Sequence, residues 1–117
     1  MELTRGTWGD VPMIVVKGAI EGEACRPLES ALDGLTERRQ NIVFLDLTDA
    51  TSMDGAGLSV LVAWVQGLGG RGWLGVIAAN DHIRRVMDGE ALLSHPNVRV
   101  FEDRHQALIV TGERQST

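Results

Sequence analysis

Two hydrophobic rhythms take turns along this chain, one short enough to predict strands and one near 3.6 residues that predicts helices. Pro12 to Ile20, PMIVVKGAI, is rich in β-branched residues and stops before Glu21-Gly22, so it reads as a strand. A shorter strand precedes it around Leu3, with a turn over Gly6-Thr7-Trp8-Gly9-Asp10. From Glu23 to Leu35 the apolar positions Ala24, Leu28, Ala31, Leu32 and Leu35 mark one helical face, and Pro27 fits only in a first turn, so the regular helix starts near Cys25. Ile42 to Leu47 is apolar without strict alternation, the pattern of a central strand buried on both sides.

A polar loop then runs to Asp54, which caps an apolar helix that ends at Gly69-Gly70. Gly72 to Ala79 is a further strand, and Asp81 caps a short helix from His82 to about Met87. Asn97 to Phe101 is a last short strand after Pro96. Asp103 caps a final helix from Arg104 to about Thr111, stopped by Gly112, and residues 113–117 are expected to form a loose tail. The order is β, β, α, β, α, β, α, β, α, with no internal repeat and no dividing linker. Helices between apolar strands imply a mostly parallel sheet, and the expected fold is one compact α/β domain over residues 1–112.

Composition narrows the function. The chain has 117 residues, 44% hydrophobic and 23% charged, enough to bury roughly two thirds of its unfolded surface without a covalent staple. A net charge of −5 gives no basic footprint for phosphate neutralisation, so no nucleic-acid partner is expected. The single Cys25 cannot form an internal disulfide, and MELTRGTWGD lacks the features of a secretory signal, so a cytoplasmic setting is expected. No apolar run approaches the ~20 residues of a membrane span, and no membrane contact is expected.

Candidate chemistry is sparse. No GxGxxG or GxxxxGK[ST] motif follows a strand, and Gly55-Ala56-Gly57 is only superficially Gly-rich. His82, His95 and His105 lie in separate segments without metal-ligand spacing, so no metal or cofactor is expected. Asp46, Asp49 and Asp54 form the only carboxylate cluster; a phosphoacceptor or metal site is one reading, and capping and turn roles are the favoured one. Cys25 has only Arg26 beside it to lower its pKa, which gives a reactive thiol little support. Enzyme readings are weak throughout, and none is expected.

The segment Asp46-Leu47-Thr48-Asp49-Ala50-Thr51-Ser52-Met53-Asp54-Gly55-Ala56-Gly57-Leu58 resembles the STAS family of bacterial anti-sigma factor antagonists and their relatives. The match is specific at Asp46, Met53, Asp54, Gly57 and Leu58. GAIEGEACRPLESAL is similar to the family's second strand and first helix, and IRRVMDGEAL to its short helix and small-residue turn. The resemblance implies a STAS-like domain with a four-to-five-stranded mixed sheet and about four helices. It also implies a module that binds an anti-sigma factor, often a kinase of GHKL type, and so frees a sigma factor for transcription.

In switched members of the family a Ser or Thr directly after the Met-Asp pair is phosphorylated by that kinase, and the added charge of about −1.5 to −2 breaks the complex. The equivalent positions here are Gly55 and Ala56, which carry no hydroxyl, so this chain reads as a non-phosphorylatable variant. Ser52 and Ser59 flank the site as weaker substitute acceptors.

The capped helix suggests a partner independently. Leu58, Leu61, Val62, Val65 and Leu68 form its inward face, while Val60, Ala63 and Gly67 lie opposite with Trp64 at the flank. The expected partner surface comprises Thr51, Ser52, Met53, Asp54, Gly55, Ala56 and Gly57, with Ser59, Val60, Ala63, Trp64 and Gly67 along the helix. The reading this favours is an antagonist-like module that docks on an anti-sigma factor. The alternative is a STAS scaffold or homodimer in which the same surface meets a second copy.

Overall fold

The first hairpin is tighter than its glycines suggest. Strand β1, Glu2–Trp8, pairs antiparallel with β2, Val11–Ile20, from Glu2 opposite Lys17 to Trp8 opposite Val11. Gly6, Thr7 and Trp8 therefore belong to the strand, and the turn is Gly9-Asp10 alone. The computed structural model describes residues 1–69, 71–89, 92–107 and 109.

After β2 a short 3-10 turn, Gly22–Cys25, leads into α1, Arg26–Glu37, with Pro27 in its first turn and Leu28, Ala31, Leu32 and Leu35 buried as the periodicity predicts. Strand β3 is the main departure. It continues past Leu47 and covers Ile42–Met53, so the polar stretch from Thr48 to Met53 is strand where a loop was expected. That half pairs parallel with the end of β2, Lys17 opposite Asp49 and Ile20 opposite Met53. Two register shifts, between Val15 and Lys17 and between Gly18 and Ala19, break the alternation, so Leu47, Ala50 and Met53 are buried at intervals of three.

Helix α2, Gly55–Leu68, follows with Asp54 as its N-cap and ends at Gly69 in the left-handed conformation, φ 58°, which suits glycine at a helix C-terminus. Strand β4, Trp73–Ile77, helix α3, Asp81–Gly89, and strand β5, Val98–Phe101, follow in turn. The cap of α3 is Asn80 rather than Asp81, since its Oδ1 accepts the Ile83 amide at 2.9 Å. Asp103 caps the turn at 104–107 by accepting the Gln106 amide at 2.9 Å. The expected end of that helix, Gly112 and the tail 113–117 lie outside the described residues.

The sheet runs β1-β2-β3-β4-β5, antiparallel at β1/β2 and parallel elsewhere. On one face Ile14, Val16, Val43, Leu45, Leu74 and Val76 pack beneath the three α-helices. The other face carries a second core of Val11, Met13, Phe44, Trp73, Ile77 and Phe101, covered in part by Ala107. Phe44 anchors it edge-on to Trp73 and Phe101, with ring centroids 5.3 and 5.9 Å away. Trp73 is thus in a core, with Trp8 half-buried beside it.

Candidate functional site

The start of α2 is fixed by one carboxylate. Asp54 is extended, φ −106° and ψ −174°, and its Oδ1 accepts the amides of Ala56 and Gly57 at 3.0 and 3.1 Å. Its Oδ2 accepts the Gly22 amide at 3.0 Å, and its own amide donates to the Ile20 carbonyl at 3.2 Å. Asp54 therefore caps the helix and also ties it to the loop after β2. The Gly57 and Gly22 amides, followed by that of Ala56, outweigh the small effect of burial and hold its pKa below the ordinary 3.8.

Glycine at 57 has a steric cause. A Cβ there would lie 2.7 Å from the Ile20 carbonyl oxygen and 2.8 Å from Ile20 Cγ2, so the helix approaches β2 closely only because no side chain intervenes. A Cβ at Gly55 would meet nothing within 4 Å. The two glycines of one motif thus do different things: one lets the helix seat, the other faces open space.

The structure divides the expected partner surface. Thr51, Gly55, Ala56, Ser59, Ala63 and Gly67 are exposed, and Ser52, Asp54 and Val60 are half-buried. Met53, Gly57 and Trp64 are buried, which corrects their placement on an exposed surface. Met53 ends β3 inside the core, and Gly57 faces Ile20. Trp64, 8% exposed, lies against α1, its Nε1 donating to the Leu32 carbonyl at 3.2 Å and the Thr36 hydroxyl at 3.1 Å. Val62, expected inward, is only half-buried. The Ser59 hydroxyl donates to the Gly55 carbonyl at 2.8 Å, and Ser52 sits in β3 opposite Ala19.

Asn80, which the sequence reading did not single out, braces the same end of the sheet. Its Nδ2 donates to the Ala50 and Thr51 carbonyls, both at 3.2 Å, and so joins the end of β3 to the start of α3. The only advance signal was an Asn beside a helix start, where Asp81 competed for the same role.

The three aspartates part company. Asp46 is buried on the aromatic face, accepting the Thr48 hydroxyl at 2.6 Å, the Thr48 amide at 2.9 Å and the Arg104 Nε. Burial would raise its pKa, but Thr48 and then Arg104 outweigh it and hold the value below 3.8. Asp49 is exposed on β3, and Asp54 is the cap. Among the described residues no three His, Cys, Asp or Glu side chains come together to hold a metal. His82 and His105 are exposed, and His95 Nδ1 accepts the Asn97 amide at 3.0 Å. Cys25 is buried, its thiol donating to the Gly22 carbonyl at 2.9 Å.

These carboxylates make the fold acid-sensitive in a defined direction. A carboxyl whose pKa is lower folded than unfolded contributes stability that is complete above the unfolded value, here about 3.8, and is lost as pH falls through the folded value. Asp54→Asn keeps a cap-competent side chain without the charge. The difference in Tm between the chain and this variant is expected to be largest above pH 4 and to shrink as the pH falls below about 3.8. Parallel Tm curves down to low pH would refute the role given to the Asp54 charge.

Comparison with known proteins places this geometry. Residues 4–89 match the family model described as Mlab, STAS domain. No curated protein matches the chain. A candidate anti-sigma factor antagonist of Thermotoga maritima superposes with a TM-score of 0.80 at 19% identity, covering 91% of each chain. An anti-sigma factor antagonist of Mycobacterium paratuberculosis gives 0.74 at 21% identity over 84% of each chain. The antagonist SpoIIAA in its unphosphorylated form gives 0.75 at 12% identity, over 95% of this chain and 97% of that one. At these identities the likeness establishes the fold. Among the described residues, no helix is long and apolar enough to cross a membrane.

Proposed function

The chain belongs to the STAS domain family, and on that footing we propose that it is an antagonist-type binding module. It docks on an anti-sigma factor of GHKL kinase type in the bacterial cytoplasm and thereby regulates sigma-factor-dependent transcription. The observation that carries this reading is the rigid presentation of the α2 start. Asp54 binds three amides from two segments, leaving Gly55, Ala56 and Ser59 exposed beside Thr51 on a frame that needs no ordering on contact. The shared fold of the antagonists named above supports it. No catalytic role is assigned to any residue.

With Gly55 and Ala56 where switched relatives carry a hydroxyl, the module is constitutively competent to bind unless another device controls it. Capture of a GHKL-type kinase by the tagged chain tests the reading, with Gly55→Asp as the control. Its added carboxylate enters open space, so the fold should persist while affinity falls by roughly tenfold or more, about 1.4 kcal/mol. Equal capture by this variant would remove the α2 start from the interface. Incubation with the captured kinase and ATP should leave the chain unmodified and phosphorylate Ala56→Ser, as read by intact mass. Phosphate on Ser52 or Ser59 of the unaltered chain would instead show a displaced switch.

A further inference from the structure

The polar half of β3 holds a shape that its own side chains specify weakly. Only Leu47, Ala50 and Met53 of that stretch are buried, while Thr48, Asp49 and Thr51 are exposed. A strand with so little apolar pattern can slip against its neighbour, and a slip of one residue turns every side chain to the other face. Pairing with β4 ends at Asp46, opposite Ile77, so from Leu47 onward the ladder is with β2. That ladder is interrupted twice. Asp46 lies opposite Val15 and Asp49 opposite Lys17, so Leu47 and Thr48 together face the single Val16. Ala50 lies opposite Gly18 and Ser52 opposite Ala19, which leaves Thr51 as an inserted residue.

A side chain closes each interruption. At the first, the Thr48 amide and hydroxyl donate to Asp46 Oδ1 at 2.9 and 2.6 Å. Asp46 is 1% exposed, and Arg104, 58 residues on, donates from Nε to its Oδ2. At the second, Asn80 Nδ2 donates to the Ala50 and Thr51 carbonyls, both at 3.2 Å. A bulge takes backbone groups out of the ladder, and these bonds supply partners for them. Arg104 stands in a local frame of its own, where Asp103 Oδ1 accepts the Gln106 amide at 2.9 Å and Gln106 Oε1 accepts the Glu102 amide at 2.8 Å.

We infer that Arg104, acting through Asp46, and Asn80, acting directly, are positioning residues for the docking end. They fix the two bulges, and the bulges decide where Thr51 and Ser52 stand before the Asp54 cap. Without the first bulge, Asp49 to Met53 would pair one residue, about 3.3 Å, out of place. Arg104 exerts this from the aromatic face, across the sheet from α2, because its charge is what makes the burial of Asp46 tolerable. A buried carboxylate without its cation turns toward water or draws water in, and Thr48 then loses a firm acceptor. The positioning stands on the register and these bonds; its bearing on a partner rests on the docking function proposed above.

Amide hydrogen exchange followed by NMR tests this. Arg104→Ala should speed exchange at Thr48, Thr51 and Ser52 by roughly tenfold or more. The Leu74 amide, bonded to the Asn97 carbonyl at the far side of the sheet, should change less. Adding Asp46→Asn to this variant should restore protection at Thr48, because the amide oxygen still accepts from Thr48 and no buried charge is left unpaired. A role limited to packing Arg104 over the Trp8 ring, 5.8 Å away, would not be rescued in this way. Asn80→Asp keeps an acceptor for the Ile83 amide but loses both donor bonds, so it should speed exchange at Thr51 and Ser52 and spare Thr48. Arg104→Lys keeps the charge with a different reach and should fall between parent and alanine, so it reports on the same amides if the alanine variant does not fold. Arg104→Ala should also bind the captured kinase roughly tenfold more weakly, with recovery on adding Asp46→Asn. Exchange that rises evenly across the strands, stays unchanged at Thr48, or fails to recover in the double variant would overturn the inference, as would undiminished kinase affinity in Arg104→Ala. The expected exchange pattern in a parent chain that captures no kinase would refute docking alone.

Discussion

Trp64→Ala is expected to lower the unfolding free energy by ~3–5 kcal/mol, a large share of the total for a domain of this size. The ring lies between α2 and α1, 8% exposed, and its N–H reaches both the Leu32 carbonyl and the Thr36 hydroxyl. Truncation would open a cavity between α1 and α2, and Thr36 would lose its indole partner. Trp64→Phe separates the two contributions: it keeps much of the packing and loses the N–H donor, at a cost of about 1–2 kcal/mol. Urea denaturation of both variants measures the pair. An alanine variant as stable as the parent would put the ring outside the core and revive its expected role as an interface anchor.

That misplacement shows where sequence reasoning ends. On an isolated helix Trp64 lies roughly 100° from the centre of the inward face, and the helix is apolar on every side. Which flank is covered depends on α1, whose Thr36 is 28 residues away in sequence and carries no periodic signal of its association with an indole. The buried arc is widened by a neighbouring helix, and that is a tertiary fact. Pairings across such distances stay hidden for the same reason: Asp46 reads as one of three nearby aspartates, while its partner Arg104 lies 58 residues on.

The elements whose causes are local were legible. The burial of Val43–Leu47, the Asp54 and Asp103 caps, the C-terminal glycine at 69 and the strand-helix order all follow from residues within a few positions of one another. The second half of β3 was not, because its register shifts against β2 set the buried positions at Leu47, Ala50 and Met53, a spacing of neither strand nor helix. Polar Thr48, Asp49, Thr51 and Ser52 then read as loop. The consequence reaches the site: Thr51 and Ser52 stand on a paired strand held at its end by Asn80, a firmer platform than a loop would provide.

Two glycines of α2 should respond oppositely to the same added methyl. Gly67→Ala meets nothing within 4 Å and replaces a flexible residue by the best helix former, so it should stabilise the domain by about 0.5–1 kcal/mol. Gly57→Ala gains the same propensity but drives its Cβ to 2.7 Å from the Ile20 carbonyl, an atom of the β2 backbone that cannot swing away as a side chain could. It should destabilise by about 1–3 kcal/mol net. The strain is relieved by lifting the helix start from β2, which lengthens the bond from the Gly22 amide to Asp54. Faster hydrogen exchange at the Gly22 amide in Gly57→Ala, with exchange there unchanged in Gly67→Ala, would show that the glycine at 57 is what seats the docking end of α2. A stable Gly57→Ala with normal Gly22 protection would mean that the close approach to Ile20 is not what fixes it.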